Sequence, residues 1–337
     1  MANPRISVVL PIYEREPHLL KTLSSLDRQS FNDFEVIVIT EDIHPETDDV
    51  LKSTDFDIIE LRYEENRGLS GALNYGIEHA KGDYIARIDA DDIALPDRFE
   101  NQIATLQSNP DIGVLGGGYE RIDRSGTSLG VITPNSTHLG IRWRLLLTSC
   151  IPHPTAMIRR SVLEETGIRY RPEFNAAEDY DLWTRLAPET KLRNLNEPLI
   201  KYRIAGDRKS ERDAAQQRRL AESIATRTVD RDLPEADFSK KDVIDMQSML
   251  YGGASERIDK KSVSEGCFDL LGQFKRKYGD PGVPKEVSRD FSVTLARSIL
   301  RPPLQTDSLD QLVKLLSVDP GYPTALASFL LKRRTRF

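Results

Sequence analysis

Three carboxylates fall within four positions of the stretch YIARIDADDIALPDRF, residues 84–99: Asp89, Asp91 and Asp92, directly after an apolar run. Without a counter-charge they repel one another. Aspartate often closes a strand because it makes turns, which accounts for one such residue and not for three together. An EF-hand loop would use Asp89, Asp91 and Glu100 at its first, third and twelfth positions. Here, however, its fifth position is Ile93, its glycine position is Ala94, and Pro96 lies inside it. The oxygens suit a hard divalent cation, Mn²⁺ or Mg²⁺, that also holds a phosphate-bearing ligand. A second acidic group, EDYD at residues 178–181, offers candidates for a general base, since a like-charged neighbour raises a carboxylate's pKa toward neutrality. The same pair at its head, Glu178 and Asp179, also suits the positive end of a helix.

Such residues need a scaffold, and the pattern around them supplies one. ISVVLPI (Ile6 to Ile12), FEVIVIT (Phe34 to Thr40), FDIIELRY (Phe56 to Tyr63) and YIARIDA (Tyr84 to Ala90) are apolar runs of strand length. PHLLKTLSSLDRQS, PETDDVLKS and LSGALNYGIEHAKG between them repeat apolar residues at three- and four-residue intervals, the last stopping at Gly82. Near-continuous Val/Ile runs alternating with helices predict a parallel sheet covered on both faces. In such sheets ligands bind beyond the carboxyl ends of the strands, where the three aspartates sit. LPDRFENQIATLQSNP then reads as a helix with Pro96 in its first turn, and IGVLGGGYERID as a strand ending in a glycine turn. Short helices and strands follow from Arg142 to Arg203, and a boundary is expected near Ala205. Residues 206–337 read as a run of amphipathic helices, appended to an α/β domain over residues 1–205.

With 39% apolar and 30% charged residues, the 337-residue chain can bury a sizeable core. A net charge of −6 gives no general reason to expect nucleic-acid binding. Cys150 and Cys267 lie far apart with no metal-binding spacing, so a reducing compartment is expected. MANPRISVVLPIY lacks a cleavage pattern and reads as a first strand, and no apolar run reaches the ~18–20 residues that span a bilayer.

VVLPIYERE, NRGLSGALNYGIEHAKGDYIARIDADD and AAEDYDLWTRL, in that order, resemble the inverting glycosyltransferases of family 2, over roughly Ile6 to Arg203. The resemblance implies the GT-A fold, a Rossmann-like, mostly parallel sheet flanked by helices. It also implies transfer of a sugar from a UDP-, GDP- or dTDP-sugar to an acceptor hydroxyl on a glycan or lipid-linked acceptor. On that basis Asp91 is a direct Mn²⁺ or Mg²⁺ ligand, Asp89 contacts metal or ribose, and Asp92 lies near the sugar. Asp179 becomes the base, with Glu178 beside it. Pro11, Tyr13 and Glu14 line the base and ribose pocket, and Glu41 or Asp42 contacts the base. Arg67, Gly68 and Asn74 lie near the diphosphate and nucleoside, an arginine being apt for phosphate. His153 lies near the donor sugar or acceptor.

Two departures from the family pattern stand out. TEDIHPETDD replaces an Asp-Asp-Gly-Ser-like turn, and YRIAGD carries Ala205 where relatives have a histidine that completes the metal site, leaving Asp207 or water to substitute. A nucleotidyltransferase on a similar sheet would need a Gly-rich, basic phosphate loop after the first strand, which PIYEREPHLL is not. A non-catalytic sugar-nucleotide binder or scaffold is the alternative that the missing histidine leaves open. Trp183 suits either an acceptor ring or the core. The chain end, ALASFLLKRRTRF, pairs an apolar face with a basic tail. It suits either a docked last helix or peripheral contact with the inner face of an anionic membrane, in an otherwise cytoplasmic protein.

Overall fold

The computed structural model describes residues 3–12, 16–40, 45–54, 58–62, 68–204, 211–252, 258–279, 283–300 and 308–319. By its own packing the chain forms two units, Met1–Ile141 with Ser149–Leu220, and Arg142–Thr148 with Ala221–Phe337. This division differs from the boundary read near Ala205, which lies outside the described residues. It falls within a helix, and Arg142–Thr148 packs with the second unit because its apolar side chains, Trp143, Leu146 and Leu147, are core residues there.

In the first unit the strands β1 (Ile6–Ile12), β2 (Phe34–Thr40), β3 (Ile58–Arg62) and β4 (Tyr84–Arg87) alternate with the helices α1 (Leu19–Asp27), α2 (Pro45–Lys52) and α3 (Gly68–His79). They pair in parallel in the order β3-β2-β1-β4. Every residue of β1 is buried, as a central strand covered on both faces requires. Pro11 is tolerated there because β1 carbonyls at odd positions face β4: Arg5 and Val9 accept from Tyr84 and Ile88. The ladder to β4 ends at Val9, so Pro11 faces that side where no donor is needed.

The rest of the unit is β5 (Ile93–Ala94), α4 (Arg98–Ser108), β6 (Ile112–Ile122), β7 (Ser128–Ile132), α5 (His138–Leu145), β8 (Met157–Arg159), α6 (Arg160–Thr166), α7 (Glu178–Leu186) and β9 (Lys191–Arg203), with 3-10 turns at His153–Thr155 and Pro172–Phe174. The sheet continues β4-β8-β6-β9-β5, with β7 on β6. Here it is mixed: β6 and β9 are parallel, while β8 is antiparallel to β4 and β6, as β5 is to β9 and β7 to β6. Gly116–Gly118 do not form the expected turn but lie inside β6. A Cβ on Gly116 would stand 2.4 Å from Asn194 Oδ1, and one on Gly118 2.9 Å from the carbonyl oxygens of Glu197 and Ile132, so close approach of β9 and β7 demands glycine. Pro96 precedes α4 instead of entering its first turn. The core between sheet and helices gathers Val8, Leu10, Val36, Phe99, Leu106 and Met157.

The second unit is helical. α8 (Glu211–Asp232) enters it, and α9 (Lys240–Leu250), α10 (Lys260–Tyr278), α11 (Lys285–Ile299) and α12 (Ser308–Val318) follow. α9 starts at a capping box between Ser239 and Asp242. The apolar faces meet around Trp143, whose ring makes edge contacts with Phe274 at 5.5 Å and Phe291 at 5.9 Å. No helix among the described residues is long and apolar enough to cross a membrane. The basic chain end at residues 325–337 lies outside the described residues.

Candidate active site

Past Arg87 the chain leaves the sheet and turns, the Asp92 N–H donating to the Asp89 carbonyl at 3.2 Å. Two anchors fix this turn. Thr22 Oγ1 of α1 lies 2.7 Å from the carbonyl oxygens of both Ala90 and Asp92. Arg203, the last residue of β9, gives its N–H to Asp92 Oδ1 at 2.9 Å and its Nε–H to the Asp91 carbonyl at 3.0 Å. The turn brings one oxygen from each of Asp89, Asp91 and Asp92 within 4.8 Å of the others.

The three carboxyls differ in environment. Asp92 is fully buried, and its Oδ2 has no hydrogen-bond partner. Burial, then the charge of Asp89, holds its pKa well above the usual range. Asp92, which the resemblance places near the sugar, is in the structure the buried acceptor that ties the turn to β9. Asp91 is partly exposed, and burial, then Asp89 and Glu16, pushes its pKa up to about 6. Asp89 accepts from Arg87 Nη2 at 2.5 Å. Burial works against the Arg87 charge, but Asp89 beside it more than compensates, and the guanidinium stays protonated. A buried carboxylate oxygen without a donor, inside a set of three all-oxygen groups, fits a hard cation such as Mn²⁺ or Mg²⁺.

The second acidic group opens α7. Glu178 is buried and its Oε2 accepts from the Ala176 N–H at 2.8 Å. Ala176 itself has φ +85°, a left-handed conformation costly for alanine, so the backbone just before the acidic pair is strained. Asp179 accepts from Ser149 Oγ–H at 3.1 Å. Burial raises the pKa of both carboxyls, and the charge of Asp179 adds to it at Glu178. His153 is buried in its 3-10 turn, with Nε2 2.8 Å from the Tyr170 hydroxyl and Nδ1 3.7 Å from Glu178 Oε1. Burial first, then the Arg87 charge, holds its pKa well below the usual value. The ring is therefore neutral, and its approach to Glu178 is neither an ion pair nor, at that distance, a hydrogen bond. Trp183 is fully buried edge-on to His153 and is a core residue rather than an acceptor surface.

Other expected site residues fall as follows. Gly68 opens α3 at φ +60°, and a Cβ there would stand 2.4 Å from Asn175 Nδ2. Asn74 has both ends of its amide committed: Nδ2 donates to the Tyr170 carbonyl at 2.8 Å and Oδ1 accepts the Tyr170 N–H at 2.9 Å. It holds the backbone of Tyr170, whose hydroxyl meets His153. Pro11 is buried at the end of β1. Tyr13, Glu14, Glu41, Asp42, Arg67 and Asp207 lie outside the described residues. Three residues that the sequence did not single out belong to the site: Arg87, Glu16 and Arg203. Only Arg87 left a signal, as one charge inside the apolar run YIARID.

Residues 7–167 match the family described as Glycosyl transferase family 2. The O-antigen biosynthesis glycosyltransferase WbnJ of Escherichia coli is 33% identical over 207 residues, which cover 59% of this chain and 79% of that protein. Among solved structures, TarS 1-349 of S. aureus in complex with UDP-GlcNAc has a TM-score of 0.56 at 17% identity, covering 95% of this chain and 92% of that one. Mannosyltransferase PcManGT of Pyrobaculum calidifontis, in complex with GDP-Man and Mn²⁺, has a TM-score of 0.51 at 17% identity, covering 95% and 87%. The sheet order, the aspartate turn at the end of β4 and these likenesses agree: the chain belongs to glycosyl transferase family 2, a glycosyltransferase with the GT-A fold.

Proposed function

We propose that this protein moves a sugar, with inversion, from a nucleotide-diphosphate sugar to an acceptor hydroxyl on a glycan. The observation that carries the reading is the gathering of Asp89, Asp91 and Asp92 within 4.8 Å, with a buried Asp92 oxygen lacking any donor. Asp91 and Asp89 would hold Mn²⁺ or Mg²⁺, which supplies positive charge for the departing nucleoside diphosphate. The nucleotide sugars and Mn²⁺ bound by TarS and PcManGT support the choice of donor and ion.

Asp179 is the base in this reading. As the acceptor oxygen bonds to the anomeric carbon from the face opposite the leaving group, the bond to the diphosphate oxygen breaks and the hydroxyl proton passes to Asp179. Burial raises its pKa toward the range a base needs, and the Ser149 hydroxyl steadies its second oxygen. Glu178, more deeply buried, holds the strained turn at Ala176 and raises the charge density beside the base. The test is a panel of UDP-, GDP- and dTDP-sugars with and without Mn²⁺, measuring both donor binding and nucleoside diphosphate release. Metal-dependent release from one donor, lost in Asp91→Ala and Asp179→Ala, is expected. Donor bound but not turned over with any acceptor would overturn transfer in favour of a sugar-nucleotide binder.

A further inference from the structure

Arg87 carries a guanidinium in an unusual position. Its side chain is 6% exposed, and one nitrogen, Nη2, reaches Asp89, yet Nε and Nη1 are buried with no hydrogen-bond partner. Unmet N–H groups on a buried cation cost free energy, and native structures retain them where a site has a second arrangement or ligand to satisfy. The charged groups around it are the candidates for a second partner. The Arg87 N–H donates to the Ala156 carbonyl at 3.0 Å, directly after the turn that carries His153. The charge of Arg87 acts on Asp89 and Asp92 on one side and on Tyr170, His153, Glu178 and Asp179 on the other. Arg98, a second buried guanidinium, donates to the Arg87 carbonyl at 2.7 Å and holds the strand end in place. His153 is neutral, so it offers Glu178 and Asp179 no countercharge, whereas Arg87 does.

We propose that Arg87 is a positioning residue that couples the two acidic groups. It neutralises Asp89 while the cation is away, and it turns its unmet nitrogens to the Glu178–Asp179 pair when Asp89 is given up to the cation. The inference rests on the reading of Asp89 and Asp91 as cation ligands and deepens it. Loading the aspartate turn then exchanges the pair between the buried Arg87 and the partly exposed Asp89 for one with the second acidic group, so Asp89 is never left as a bare charge. Occupancy at one group is also felt at the other, as a coupling between two sites.

The experiment titrates Mn²⁺ alone into the full chain at pH 8, following the electron paramagnetic resonance of the free ion, for the wild type, Arg87→Met, Asp179→Asn and the double variant. Removing the competing cation should tighten Mn²⁺ binding by about fivefold or more. Asp179→Asn should weaken binding when Arg87 is present and have little effect in the Arg87→Met background. Arg87→Lys, which keeps the charge, should stay near the wild type in both respects. Unchanged affinity in Arg87→Met, or an Asp179→Asn effect equal in both backgrounds, would overturn the coupling while leaving the cation site standing. A wild type that does not bind Mn²⁺ removes the cation reading itself. If Arg87→Met loses its native circular dichroism, Arg87→Gln takes its place in the cycle with the same expected signs.

Discussion

The raised pKa of Asp91 predicts that the proposed cation site is sensitive to acid, in a range that can be worked out beforehand. Burial, with Asp89 and Glu16 adding like charge, moves this carboxyl from the usual 3.8 to about 6. A proton and a cation compete for the same oxygens, so apparent affinity scales inversely with one plus the proton occupancy ratio. With a pKa of about 6, affinity is flat above pH 7, halves at about pH 6 and falls about tenfold by pH 5. The sign for stability is opposite in the metal-free protein. A carboxyl with a raised folded pKa is most favourable to folding below its unfolded value, and that contribution is lost as pH rises from about 4 through 6. The full shift corresponds to about 3 kcal/mol, and solvent at the partly exposed Asp91 reduces it to ~1–2 kcal/mol. Mn²⁺ above pH 7 restores it by mass action. The assays are Mn²⁺ affinity from pH 8 to pH 5 and urea unfolding over the same range without metal. Glu16→Gln removes one of the three causes and should move the affinity midpoint to lower pH without abolishing binding. Affinity that stays flat down to pH 5, or a midpoint unmoved in Glu16→Gln, would refute the reasoning.

Asp92→Asn keeps an acceptor for the Arg203 N–H and removes a buried charge, so metal-free stability should rise by ~1 kcal/mol, whereas Asp92→Leu strands that N–H and should lose ~1–3 kcal/mol, both read by urea unfolding. Ala176→Gly relieves the strain at φ +85° and should gain ~1 kcal/mol after the added freedom of the unfolded chain is subtracted; Ala176→Val should lose at least as much. Asn74→Ala leaves the Tyr170 N–H and carbonyl unmet and should cost ~2 kcal/mol while Mn²⁺ affinity stays within a factor of about two, which separates its structural role from a donor contact.

The first half of the sheet was legible because each strand is covered on both faces and so reads as an unbroken Val/Ile run. β1 and β2 have the bounds that the sequence predicts, β3 (Ile58–Arg62) falls within its predicted run, whose ends lie outside the described residues, and β4 starts where predicted and stops at Arg87. The second half was less legible for a physical reason. β8 is three residues long, and β6 passes straight through three glycines whose local signal is a turn. What those glycines make room for is side chains of Asn194 and Leu199 and backbone of Glu197 and Ile132, all far away in the chain, and single-sequence periodicity carries no trace of that. Acidic clusters were legible because like charges rarely gather without cause, but their partners were not. Arg203 acts through its backbone N–H, which any residue possesses, and Glu16 acts by position alone.

The change of strand direction at β4 explains why the site is where it is. β1 extends to Ile12 but pairs with β4 only to Val9, while β8 approaches the other edge of β4 antiparallel and also stops short, at Ala86 opposite Met157. The last bonds that hold the chain leaving β4 are those of the Arg87 N–H to the Ala156 carbonyl and the Ile88 N–H to the Val9 carbonyl, so Asp89 to Asp92 are released to form the turn. A turn free of the ladder must find other backbone partners, and Thr22 and Arg203 supply them from α1 and β9. Asp92 spends its carboxylate on the same task. That leaves the partly exposed Asp91 and the Arg87-paired Asp89 as the positions the proposed cation would use, with the second Asp92 oxygen, free of any donor, beside them.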